Sequence, residues 1–265
     1  MQKTAIIPSI GLGTWKLRGD ECEKIVKEAL EIGYRHIDTA DMYENHRAIG
    51  RAIRGVEREK IFLATKLLML ELLPSQVDKA VPRFLRDLQV DYLDLLLIHW
   101  PNPDVDMAET LRAMVEFKEK GLVRNIGVSN FVRFHLEALE PFHFPIITNQ
   151  IEMHPYLQRR LLVETCKRMG IEVTAYRPLA KGAFEKDTTL QKIGKAHGKS
   201  PSQIALKWLV QQDIAVIPKA SSLEHLKTNF DIFDFQLTSE EMEAIRQLDS
   251  GERYCAPEGY PTYED

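Results

Sequence analysis

Along the chain, short apolar runs alternate with segments in which apolar positions recur every three or four residues. The runs lie at 10–14, 36–39, 61–67, 92–99, 125–129, 146–150, 172–176 and 214–218. Several are nearly unbroken, as in Leu95-Leu96-Leu97-Ile98, the pattern of strands buried on both faces. The segments between them carry helix-start signals. Asp20-Glu21-Cys22-Glu23 predicts a capping box ahead of Ile25, Val26, Ala29 and Leu30. Ser200-Pro201-Ser202-Gln203 puts a cap, a first-turn proline and a glutamine in order. Thr238-Ser239-Glu240-Glu241 opens a last helix that looks appended. Eight strands alternating with helices predict an α/β fold, a (β/α)8 TIM barrel with an appended C-terminal helix and a short tail, as a single domain over residues 1–265. The alternative is a doubly wound sheet, which usually carries Gly-x-Gly-x-x-Gly after its first strand. The nearest match, Gly11-Leu12-Gly13-Thr14-Trp15-Lys16, lacks the third glycine.

Three of the runs end on residues that carry chemistry: Asp38, Lys66 and His99, at steps of 28 and 33 residues. One strand–helix–strand repeat is about 30 residues long. An acid, a base and an imidazole therefore converge at the carboxyl ends of three neighbouring strands, where barrels place their active sites. Tyr43 follows Asp38 by five residues and brings a phenol to the same rim. A lysine cation beside a phenol favours phenolate and lowers its pKa, and a carboxylate behind the lysine keeps it charged. Such a phenol can donate a proton to a carbonyl oxygen while the imidazole orients that oxygen. Taken singly, Asp38 could be a helix cap, Lys66 a solvated strand end, His99 a core histidine and Tyr43 a packing residue; together, at barrel spacing, they favour catalysis.

Composition narrows the picture. The chain has 35 basic and 39 acidic residues, a net charge of −4 and no basic tract, so no nucleic-acid partner is expected. No apolar stretch approaches the roughly 20 residues of a membrane span, and the first residues lack a signal-peptide core. The three cysteines, Cys22, Cys166 and Cys255, include no Cys-x-x-Cys, so a cytoplasmic location is expected; separately, the barrel is expected to be a monomer. The eight histidines form no metal-binding pattern. His135, His143, His154 and His197 are read as packing or surface residues. Gly194 and Gly198-Lys199-Ser200 resemble a P-loop, but with a spacing one residue short.

The string Gly33-Tyr34-Arg35-His36-Ile37-Asp38-Thr39-Ala40-Asp41-Met42-Tyr43-Glu44-Asn45 resembles the signature of the aldo-keto reductase superfamily. So do Leu96-Leu97-Ile98-His99-Trp100-Pro101, Ile126-Gly127-Val128-Ser129-Asn130-Phe131, Asn149-Gln150-Ile151-Glu152 and Ile217-Pro218-Lys219, in the family's order. The ending Ala256-Pro257-Glu258-Gly259 and the short loops are most similar to the bacterial 2,5-diketo-D-gluconate reductase B and methylglyoxal reductase branch. The resemblance implies NADPH-dependent reduction of small aldehydes, ketones or dicarbonyls, with NADH a possible second cofactor. It implies Tyr43 as general acid supported by Lys66 and Asp38, with His99 orienting the carbonyl. Ser129, Asn130 and Gln150 would hold the nicotinamide carboxamide, and Tyr176 would stack on its ring. The cofactor-binding set extends to Gly13, Thr14, Asp38, Arg177, Leu179, Pro218, Lys219, Ala220, Ser221, His225 and Asn229. Ser221 and Glu224 are read as a capping box opening a helix over 223–229, whose exposed N–H groups suit a phosphate. Trp15, Leu68 and Trp100, with Tyr43 and His99, would line a shallow substrate pocket bounded by the short segment 181–188 and the tail after Cys255.

The chain departs from the family in places. Arg177 stands where serine is frequent, with pyrophosphate or a carboxylate as its expected contact. His225 replaces the arginine usual at the 2′-phosphate, and Thr228 a nearby glutamate, which weakens the expected NADPH preference. His46 replaces a glutamate of a structural ion pair, and Leu68 a pocket tryptophan. The alternatives are a Schiff-base lyase using Lys66 and a non-catalytic nicotinamide-nucleotide-binding protein.

Overall fold

The structure, a computed structural model, describes residues 7–255. Among them, eight strands run in the order β1 (Leu12–Gly13), β2 (His36–Asp38), β3 (Phe62–Leu67), β4 (Leu93–Ile98), β5 (Val123–Ser129), β6 (Ile146–Glu152), β7 (Glu172–Tyr176) and β8 (Ala215–Ile217). The helices between and after them are α1 (Gly19–Ile32), α2 (His46–Ile53), α3 (Pro74–Leu88), α4 (Met107–Glu119), α5 (Arg133–Leu139), α6 (Arg160–Arg168), α7 (Thr188–His197), α8 (Pro201–Val210), α9 (Leu223–Phe230) and the appended α10 (Ser239–Arg246). Each strand pairs in parallel with the next. The sheet closes where Gly11 N–H donates to the Val216 carbonyl (2.8 Å) and Gly13 N–H to the Pro218 carbonyl (3.1 Å). This is the (β/α)8 TIM barrel the apolar periodicity predicts.

Gly13 makes the seam possible: a Cβ there would lie 2.6 Å from the Ile217 carbonyl oxygen. Inside the barrel, Ala64, Leu95, Leu97 and Ala215 pack with Ile7, while the larger apolar layer lies between strands and helices. Of the predicted caps, Ser200 and Thr238 form full boxes with Gln203 and Glu241. The Asp20 box does not form. Lys16 and Gly19 adopt left-handed conformations (φ 67° and 51°), and α1 starts two residues earlier, with Arg18 at the cap position and no side-chain cap. The cap of α9 is Ser222, not Ser221: its hydroxyl accepts from the His225 N–H at 3.2 Å, and Glu224 takes no part. The P-loop-like piece is the α7–α8 connection, where the Lys199 ammonium is held by Asp231 and Asp234 at 2.8 Å each. His46 lies buried and bonded to the Thr65 hydroxyl at 2.8 Å, in place of the expected ion pair. No helix among the described residues is long and apolar enough to cross a membrane, and no group of their side chains could hold a metal ion. The motif at 256–259 lies outside the described residues.

Candidate active site

Strand geometry brings the predicted residues together. Asp38 ends β2, Lys66 is the next-to-last residue of β3, and His99 follows β4 directly. In parallel register Asp38 pairs with Ala64 and Lys66 with Leu97, so the three side chains climb to one rim. The Lys66 ammonium donates to Asp38 Oδ1 at 2.5 Å and to the Thr39 carbonyl at 2.8 Å. The other oxygen, Oδ2, accepts from Gln150 Nε2 at 2.7 Å. Both charged side chains are essentially excluded from water, at 1% and 2% exposure. Burial lowers the Lys66 pKa, and the Asp38 carboxylate pulls in the opposite direction.

Tyr43 is presented by a short 3-10 turn, Asp41–Tyr43. Arg83 of α3 anchors this turn with a two-pronged bond to Asp41 (2.6 and 2.9 Å), the geometry that best fixes a carboxylate. The Tyr43 ring packs against Trp15 at 4.9 Å and edge-on to His99 at 5.8 Å, with Lys66 Nζ 5.3 Å from its centroid. The phenol is not lowered by the lysine. Burial, then the charge of Asp38, pushes its pKa well above the ordinary value. The lysine's cation is compensated by Asp38 and Thr39, so the sequence-based expectation fails on this point. Burial, reinforced by Lys66, holds the His99 pKa well below the histidine range, so its ring is neutral.

Trp15, Asp38, Tyr43 and His99 line a cleft of about 810 Å³, counting its open mouth, at the carboxyl ends of the strands. Gly13, Thr14, Trp15, Asp38, Tyr43, His99, Trp100, Asn130, Gln150, Tyr176, Arg177 and Lys219 all face it. Lys66 and Ser129 sit behind the wall. Ser129 donates to the Gln150 carbonyl at 2.8 Å. Asn130, in a left-handed conformation (φ 62°), donates to the His99 carbonyl and accepts from the Tyr176 hydroxyl at 2.7 Å. Residues in that region carry backbone strain, which asparagine tolerates better than most. Leu68 is not on the cleft wall: the chain turns away after β3. Leu179, Pro218, Ala220, Ser221, His225 and Asn229 also lie off that wall; Ser221 and His225 are exposed, and Asn229 is buried under α9. Arg177 is half-buried, and among the described residues its guanidinium donates to the Tyr254 carbonyl at 2.5 Å rather than to a carboxylate. Three lining residues escape sequence reasoning: Met42, Ile217 and Cys255. Met42 was within reach, standing in the same loop as Tyr43.

The cleft offers an aromatic face, a pair of amides and the exposed cation of Lys219. A model of the aldo/keto reductase family matches residues 9–250. The chain belongs to the aldo/keto reductase family. This reductase is 40% identical over 259 residues to methylglyoxal reductase DkgB of Escherichia coli O157:H7, covering 96% of this chain and 97% of that one. It is 39% identical over 254 residues to a 9,11-endoperoxide prostaglandin H2 reductase of Trypanosoma cruzi, covering 93% and 89%. A solved structure named for 2,5-diketo-D-gluconic acid reductase B superposes with a TM-score of 0.93 at 42% identity, covering 98% and 94%. The reductase is thus an NAD(P)H-dependent oxidoreductase acting on small carbonyl compounds.

Proposed function

We propose that the protein reduces small aldehydes, ketones and dicarbonyls with NADPH, the Tyr43 hydroxyl delivering the proton to the carbonyl oxygen. The observation that carries this reading is the shared wall of Tyr43 and a neutral His99, 5.8 Å apart, with the Lys66 charge 5.3 Å from the Tyr43 ring. A bound nicotinamide supplies the hydride; the rest falls to the chain. Neutral imidazole can donate one N–H to the carbonyl oxygen and fix its direction. A phenol with a raised pKa stays loaded with its proton at neutral pH, yet is still acidic enough for the alkoxide that forms as the carbonyl is reduced.

Tyr176 and the amides of Asn130 and Gln150 would hold the nicotinamide end. Lys219, with Ser221 just before the cap of α9 and His225 in its first turn, would hold the 2′-phosphate, helped by the positive end of the helix dipole. Trp15 and Trp100 give the substrate an apolar wall beside Tyr43. An open cleft with this wall favours compact dicarbonyls such as methylglyoxal, the compound in the name of the Escherichia coli relative. The arrangement supports reduction over Schiff-base chemistry, because Lys66 does not line the cleft and its ammonium is taken by Asp38 and Thr39.

The test is NADPH oxidation in the presence of methylglyoxal by wild type and Tyr43→Phe. General acid catalysis contributes roughly 10²–10⁴-fold, so the variant should lose about that much kcat while still binding NADPH. A folded variant that keeps more than about half of wild-type activity would remove Tyr43 from this role.

A further inference from the structure

The last described residues form part of the cleft, and one acidic residue holds them there. Glu152 ends β6, two positions after Gln150 and on the same face of the strand. It is 2% exposed, and the reduction chemistry proposed above gives it no task. Its Oε1 accepts from the Tyr254 N–H at 2.7 Å and its Oε2 from the Cys255 N–H at 3.0 Å. His154 Nε2 stands 3.6 Å from Oε1, and Arg177 donates to the Tyr254 carbonyl at 2.5 Å. Upstream, the N–H groups of Ser250 and Glu252 donate to the Tyr156 carbonyl at 3.1 Å each. Residues 250–255 are therefore stitched across the rim from Tyr156 to Glu152, which brings Cys255 onto the wall that also carries Tyr43 and Tyr176.

We propose that Glu152 is a positioning residue whose carboxylate latches the backbone of Tyr254 and Cys255 to the rim and so builds the substrate-side wall of the cleft. Two consecutive amides on two oxygens of one carboxylate define both the place and the direction of the tail. A glutamine of the same size offers one acceptor oxygen and turns an NH2 group toward the second amide, so one of the two bonds is replaced by a donor facing a donor. The latch acts on binding of the carbonyl compound rather than on the proton or hydride step.

That Cys255 faces the carbonyl compound rests on the proposed reduction; that Glu152 holds the tail does not, and two readouts separate them. Cys22 and Cys166 are fully buried (0% exposed), so native labelling with iodoacetamide followed by intact mass reads Cys255. Hydrogen bonds to a charged group are among the stronger ones, and tenfold in a rate or affinity corresponds to about 1.4 kcal/mol. Glu152→Gln should therefore label about tenfold faster than wild type. Its KM for methylglyoxal should rise about tenfold, with kcat and the NADPH Kd within about twofold. Glu152→Asp should fall between the two. If folded Glu152→Gln labels at the wild-type rate, the latch is wrong. If that variant does not fold, Tyr254→Pro removes one donor from the segment, read against Tyr254→Ala, which loses the same ring from His154 but keeps the N–H; equal labelling of the two overturns the proposal equally. Faster labelling with an unchanged KM overturns the wall while leaving the latch. A wild-type protein that reduces no carbonyl overturns the proposed function, and the labelling result still decides the latch.

Discussion

Replacing Lys66 with methionine probes the centre of the site, because it keeps the unbranched apolar stem and removes the ammonium with its bonds to Asp38 and Thr39. In the native structure Lys66 and Asp38 meet at 2.5 Å with 1% and 2% exposure, and neither has water as an alternative partner. After the substitution Asp38 retains the Gln150 amide and no cation. Removing one member of a buried ion pair costs about 3–5 kcal/mol, because the other charge stays dry and unpaired. For a chain of this size each kcal/mol lowers Tm by roughly 2–4 °C, so Lys66→Met should melt about 6–20 °C below wild type. Asp38→Asn, which strands the ammonium instead, should fall in the same range. The double variant buries no charge and should return to within about 2 kcal/mol of wild type. Urea unfolding of all four proteins gives the coupling energy directly. A single variant that loses less than about 1 kcal/mol, or a double variant equal to the sum of the singles, would show that the pair is hydrated in solution and that the dry-pair reasoning fails.

Two further outcomes follow from groups away from that pair. His36 and His46 are buried and held near pKa 4, below the 6.5 of an unfolded histidine. Above pH 6.5 neither state binds the proton; as pH falls toward 4 the unfolded state takes it first and stability is lost, about 2 kcal/mol per histidine by pH 5. Urea midpoints at about pH 7.5 and 5 check this; His46→Gln should remove about half of the difference that the two histidines make, and identical midpoints for wild type at the two pH values would refute it. His225→Arg should raise the NADPH-over-NADH ratio of kcat/KM about tenfold, since a guanidinium binds phosphate with two charged bonds. An unchanged ratio would show that this first turn of α9 does not face the 2′-phosphate.

The strand–helix alternation was legible because parallel strands buried on both faces leave unbroken apolar runs, and β7 matches its run residue for residue. β1 shrinks from the expected five residues to two because Ser9 to Gly11 are spent on bridging the seam to β8 rather than on a regular ladder. The caps were read correctly where proline or a glutamine three residues on fixes the register, as at Ser200. They were misread where two serines stand side by side, since both cap equally well and only the backbone decides. Asp38, Tyr43, Lys66 and His99 could be found from spacing alone. Their electrostatics could not: that Asp38 shares its carboxylate between Lys66 and Gln150, and that Tyr43 is raised rather than lowered, depends on burial. Cys255 was hidden because its partner Glu152 lies 103 residues upstream, and no local pattern announces such a contact.

The bond from Gln150 to Asp38 spans 112 residues, and the seam joins the first strand to the last. During synthesis, the first 99 residues already carry Asp38, Tyr43, Lys66 and His99. Yet one oxygen of Asp38 has no partner until β6 emerges, and β1 stays an open edge until β8 arrives. Open parallel edges recruit other chains, and contacts between distant residues form late. Activity therefore appears all at once when the ring shuts, and a chain stopped short of β8 is expected to be an aggregation hazard rather than a slow enzyme.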